Sequence, residues 1–138
     1  MKVMVSACLM GRNCKYNGGN NFSEPLAEFL KDKDVVEVCP EVLAGFPIPR
    51  PRIERVKGRV FNEFGEDVHE ACLVGVEKAV ALAKAEGVDL VILQSRSPSC
   101  GVNEIYDGTF SGVRMEGHGI FAEALINNGF SVLDVEDL

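Results

Sequence analysis

A chain of 138 residues, 46% of them hydrophobic, can build one core but leaves little room for two, so a single α/β domain over residues 1–138 is expected. With 21 acidic against 14 basic side chains the net charge is −7, which argues against a nucleic-acid backbone as partner, and no apolar run approaches the roughly 20 residues of a membrane span. The five cysteines are odd in number, and Met1-Lys2-Val3-Met4-Val5 lacks a signal-peptide pattern; the expected setting is the reducing cytoplasm, where clustered thiols serve metals or catalysis rather than disulfides.

Residues 2–9 are apolar and partly β-branched, and predict a first strand. A loop over 11–21 follows, rich in Gly and Asn. Ser23 is the expected N-cap of a helix with Glu24 and Pro25 in its first turn and Leu26, Phe29 and Leu30 on one face. Residues 35–38 predict a second strand, ended by Cys39-Pro40. Three prolines (Pro47, Pro49, Pro51) exclude regular helix from the middle of 41–65, and 53–61 reads as a small hairpin turning at Lys57-Gly58.

Asp67 and Glu70 have capping-box spacing before a long helix that reaches about Glu86 and stops at Gly87. Its apolar positions Val68, Cys72, Val76, Ala79, Val80 and Ala83 recur every three or four residues. Residues 88–93 are nearly all apolar, as a strand covered on both faces should be. A long loop over 94–117, a short helix over 120–127 stopped at Asn128-Gly129, and a last strand over 130–135 complete the chain.

Strands alternating with helices predict a three-layer, Rossmann-like domain with a parallel sheet of about four strands. Ligands of such sheets bind beyond the carboxyl ends of the strands. Cys8 ends the first strand, Cys39 ends the second, and Cys100 lies in the loop after the third. Topology therefore delivers three thiols, far apart in sequence, to one sheet edge. Soft thiolates suit zinc, which takes four ligands or three and a water, or an iron–sulfur cluster. Cys72, on the apolar face of the long helix, reads as a core residue, and Cys14 as a fourth ligand or a loop thiol near the site. The six-residue step from cysteine to arginine that forms a phosphatase cradle is absent: Cys14, Gly45 and Tyr106 stand at those positions.

The blocks Cys8-Leu9-Met10-Gly11, Cys14-Lys15-Tyr16-Asn17-Gly18, Cys39-Pro40-Glu41, Pro49-Arg50, Ser97-Pro98-Ser99-Cys100-Gly101 and Ile105-Tyr106-Asp107-Gly108-Thr109-Phe110-Ser111-Gly112 span nearly the whole chain. Together they resemble a small microbial family, once a domain of unknown function, that includes the thiouracil desulfidases. The resemblance implies a [4Fe–4S] cluster held by Cys8, Cys39 and Cys100, with its fourth iron open. It also implies removal of sulfur from a thiolated pyrimidine, or a similar thiocarbonyl, without net redox change. Glu41 would be the acid/base carboxylate, assisted by Ser97 or Ser99, with Ser97 slightly favoured. Lys15 and Asn17 stand where the family pattern has arginine and aspartate, and His118-Gly119-Ile120-Phe121 replaces a small-residue and threonine pattern.

Arg50, Arg52 and Arg55 form a basic cluster with two readings, an anion site or a solvated hairpin face. Tyr106 and Phe110 would stack on a ring or close the core. Two functional classes follow: a desulfidase acting on a small thiolated molecule, or a non-catalytic metal- or cluster-binding module with no pocket beside the metal.

Overall fold

The computed structural model describes residues Met1–Leu138. In chain order the elements are β1 (Lys2–Ser6), α1 (Glu24–Phe29), β2 (Asp34–Val38), α2 (Pro40–Leu43), β3 (Ile53–Val56), β4 (Arg59–Asn62), α3 (His69–Glu86), β5 (Leu90–Leu93), β6 (Glu104–Tyr106), β7 (Arg114–Glu116), α4 (Ile120–Asn127) and β8 (Val132–Asp134), with 3-10 turns at Ala7–Met10 and Val135–Asp137. Four strands form a parallel sheet in the order β2-β1-β5-β8.

Alternation along the central strands divides the core into two layers. Val3, Val5 and Ile92 pack with Leu26 and Leu30 of the α1 segment, while Met4, Val91 and Leu93 pack with Cys72, Val76, Ala79 and Ala83 of α3 and Phe121 and Leu125 of α4. Val3, Met4, Val5, Val91, Ile92 and Leu93 are completely buried, which is why both strands read as unbroken apolar runs. Full burial of such side chains contributes about 1.5–3 kcal/mol each. The arrangement is the expected three-layer α/β fold. Its covering helices change face between β1 and β5, the switch point at which such sheets bind ligands.

Several local expectations are corrected. The first strand ends at Ser6, not near Leu9, because Ala7–Met10 winds into a 3-10 turn closed by Gly11 at φ 89°. The capping box does not form: Val68 is the N-cap residue of α3, and Asp67 Oδ1 instead accepts the His69 N–H at 3.0 Å. Arg59 engages Asp67 and Glu70 together, so their spacing serves an ion pair with β4. The stretch after Cys39 is helical for one turn, with Pro40 at the first position of α2. Within 94–117 a short antiparallel ribbon, β6 with β7, pairs Glu104 with Glu116 and Tyr106 with Arg114. The hairpin over 53–61 is present as β3–β4, turning at Lys57 (φ 50°) and Gly58 (φ 84°).

Candidate active site

Cys8 and Cys39 sit just past the carboxyl ends of β1 and β2, Cys100 lies in the loop that follows β5, and each is held by its own backbone frame. The Cys8 carbonyl accepts the N–H groups of Gly11 (3.3 Å) and Asn21 (3.0 Å), folding the 11–21 loop over the turn. Asn21 Nδ2 then donates to Cys8 Sγ at 3.6 Å, a contact the sequence did not signal. Cys39 is the N-cap residue of α2, and its carbonyl accepts the Leu43 N–H at 3.0 Å. α3 crosses against this turn so closely that a Cβ on Gly75 would lie 1.9 Å from the Pro40 carbonyl oxygen. Cys100 lies in a tight turn after β5, in which Ser97 Oγ accepts the N–H groups of Ser99 (3.2 Å) and Cys100 (3.1 Å). The start of α4 clamps that turn: Gly119 N–H reaches the Gly101 carbonyl, and Ile120 N–H that of Pro98.

Cys8, Cys14, Cys39 and Cys100, all free thiols, line one cavity of about 430 Å³. Glu41, Arg50, Glu54, Ser97 and Tyr106 share its wall. Cys14 lies between Cys8 and Cys39 as a loop thiol within hydrogen-bonding reach of both. A bond from Cys14, aided by Asn21, holds the Cys8 thiol below its ordinary pKa. Cys39, which donates towards Cys14 and is desolvated, is pushed up. Burial pushes Cys100 up as well, against the opposing influence of the Ser6 and Ser97 hydroxyls. Enclosure without a cation favours neutral thiols, and coordination of iron reverses that preference.

No group of three His, Cys, Asp or Glu side chains closes on one point as the ligands of a single metal ion would. A cavity beside the thiols is what the non-catalytic module would lack.

Glu41, two residues past Cys39, reaches the same cavity. Its Oε1 accepts from Arg50 Nε at 3.0 Å, and its Oε2 from Ser99 Oγ at 3.2 Å. Arg50 Nη2 also donates to the Cys14 carbonyl at 2.7 Å, and the Arg50 N–H to the Tyr16 carbonyl at 2.8 Å. The two serines therefore separate in role: Ser99, buried, touches the carboxylate, while Ser97 faces the cavity and the Cys100 thiol.

The anion-site reading of the basic cluster is not supported, because each guanidinium already has a carboxylate. Arg50 pairs with Glu41, Arg52 with Glu63 and Arg55 with Glu123; Arg52 also lies 5.8 Å over the Phe110 ring. Cys72 is 2% exposed in the core, and burial followed by the nearby Glu41 charge pushes its thiol up to about 12. His118 does not line the cavity; its Nδ1 is bonded to the Val102 carbonyl. Lys15 does line it, and Asn17 Oδ1 accepts the Gly19 N–H at 2.9 Å in the same loop.

Fold and site together define a parallel α/β protein with a cysteine-lined cavity at the sheet switch point and a carboxylate beside it. Residues 3–137 match the family described as 2-thiouracil desulfurase, and the chain belongs to that family. It is 38% identical to the uncharacterized protein YbbK of Bacillus subtilis (strain 168), covering 99% of this chain and 97% of the relative. Among solved structures it resembles the [4Fe-4S]-dependent thiouracil desulfidase TudS with a TM-score of 0.93 and 37% identity, covering 99% of this chain and 92% of that one. No helix is long and apolar enough to cross a membrane.

Proposed function

We propose that the protein is a [4Fe–4S]-dependent desulfidase that replaces the sulfur of a thiolated pyrimidine, such as 2-thiouracil, by oxygen from water. The observation that carries this reading is the delivery of Cys8, Cys39 and Cys100 from beyond three strand ends, with Glu41, to one cavity. The donor set fits the cluster: three soft thiols, free of disulfides, line one cavity. When bound, the cluster supplies an iron without a protein ligand, a Lewis acid suited to a thiocarbonyl sulfur.

The chain's own residues manage water and protons. An ionised carboxylate offers about four lone-pair positions; Arg50 and Ser99 take two on Glu41, leaving each oxygen able to accept from water. Arg50 and Ser99 fix the direction in which the carboxylate faces, and Glu41 takes the water proton as oxygen bonds to the thiocarbonyl carbon. Ser97 lines the cavity with its hydroxyl beside the Cys100 thiol, where it orients the ring. The carbon–sulfur bond breaks and sulfur leaves as hydrogen sulfide. Thiocarbonyl plus water gives carbonyl plus hydrogen sulfide, so no external electron donor is needed.

The test is sulfide release from 2-thiouracil by anaerobically prepared, iron-loaded protein, with wild type beside Glu41→Gln. The amide keeps the shape but is not a base at neutral pH, so turnover should fall by about 10²–10⁴ at equal iron content. Equal rates would remove Glu41 from the chemistry, and no release by wild type would defeat the substrate class.

A further inference from the structure

Glu54 lies within β3 and is 6% exposed. Its Oε1 accepts two backbone N–H groups, from Gly108 at 3.0 Å and Phe110 at 3.1 Å, and so pins the 107–113 loop between β6 and β7 against β3. Glu54 Oε2 is bonded to no protein donor, and no basic side chain pairs with the residue. The only completely enclosed side-chain nitrogen or oxygen without a partner is His69 Nδ1, so Glu54 Oε2 keeps an opening, and Glu54 is a wall residue of the cavity. Two carboxyls line that cavity. Both oxygens of Glu41 are engaged by Arg50 and Ser99, which leaves Oε2 of Glu54 as the carboxyl oxygen with nothing bonded to it.

Water reaches this oxygen while the cavity is empty, and a ligand that fills the cavity displaces that water, so the oxygen is left unpaired at a cost unless the ligand supplies a donor. A thiolated pyrimidine carries such a donor: a ring N–H adjacent to the thiocarbonyl. We propose that Glu54 is a specificity-determining residue whose Oε2 accepts this N–H, so that the site selects –NH–C(=S)– compounds and rejects those alkylated at that nitrogen. The inference rests on the desulfidase reading and adds to it a second recognition point, separate from the thiols and from Glu41. A methyl group in place of the proton would leave the carboxyl oxygen desolvated and unpaired, the situation in which polar sites discriminate most strongly.

The test uses iron-loaded protein kept anaerobic. Dissociation constants are measured for 2-thiouracil and for its N1-methyl and N3-methyl derivatives, together with sulfide release, in wild type and in Glu54→Gln. In the variant the amide oxygen still takes the Gly108 and Phe110 N–H groups, while its NH2 turns a donor to the cavity. Wild type should bind at least one methyl derivative about 10- to 100-fold more weakly than the parent. Glu54→Gln should weaken the parent by a similar factor and bring it within about twofold of that derivative. Equal binding of all three compounds by wild type overturns the proposal without reference to any variant, and so does a preference that survives in Glu54→Gln. Sulfide release without any preference would leave the desulfidase reading standing and remove Glu54. No binding and no release of any of the three would overturn that reading and this inference with it.

Discussion

Arg50 and Glu41 form the least exposed ion pair of the molecule, Nε to Oε1 at 3.0 Å with side chains 6% and 14% exposed. The same guanidinium reaches the carbonyls of Cys14 and Pro47. One side chain thus ties α2, the Cys14 loop and the proline-rich stretch together around the cavity. The planar fork of arginine suits three such partners, where the single ammonium of lysine does not.

Arg50→Met should therefore be costly. It leaves the Glu41 carboxylate without its cation at a cavity wall that water reaches, so the loss should exceed that of an exposed pair and stay below the roughly 3–5 kcal/mol of a fully buried one. The check is urea unfolding, with a lower midpoint at unchanged m-value. Arg50→Lys should fall between the two. A loss below about 1 kcal/mol, the range of exposed pairs, would show that the enclosure counts for little.

Replacing Cys8, Cys39 or Cys100 singly by alanine should strip most of the roughly four irons bound by anaerobically prepared wild type. Cys72→Ala should keep them, because that thiol faces the core between α3 and its neighbours. Cys14→Ala should also keep them, since the proposed ligand set of Cys8, Cys39 and Cys100 is complete without it. Iron and labile sulfide analysis of the five variants decides; retention of iron in Cys39→Ala would break the ligand set.

Gly75→Ala tests how the site is braced from behind. The added Cβ would meet the Pro40 carbonyl oxygen at 1.9 Å and Ala44 N at 2.9 Å, both backbone atoms that cannot swing aside. The helix-propensity gain of about 1 kcal/mol should be outweighed by about 1–3 kcal/mol of overpacking. Displacement of α2 should also lower iron content through Cys39. Unchanged stability and iron together would mean that α2 tolerates movement.

The raised Cys72 thiol gives a pH dependence with a definite sign. Its folded pKa of about 12 lies above the ordinary 9.0. The folded state therefore holds the proton more tightly, and the stabilisation is complete below pH 9.0 and lost between there and about 12. The slope attributable to this thiol is at most about 1.4 kcal/mol per pH unit. Cys39 and Cys100 act in the same direction, so the measurement is the difference between wild type and Cys72→Ala. Wild type should lose stability more steeply than the variant as pH rises above 9.0; parallel curves would refute the assignment.

Sheet, helices and the sheet edge that gathers the thiols were legible in the sequence, because each depends on local periodicity and on the order in which strands and helices alternate. Apolar runs such as Val88 to Leu93 and the spacing from Cys72 to Ala83 are properties of one segment, and Cys8, Cys39 and Cys100 needed only to follow the carboxyl ends of their strands. The β6–β7 ribbon was hidden, since its three-residue strands are interrupted by Gly and Ser and are specified by each other more than by either alone. The division of labour between Ser97 and Ser99 was equally invisible: both flank Pro98, and only a carboxylate 58 residues away distinguishes them. Arg50 read as one of three similar cations, and nothing in the sequence set Glu54 apart. Their environments come from segments brought together by folding, and burial with its unmet hydrogen bonds exists only once those segments have met.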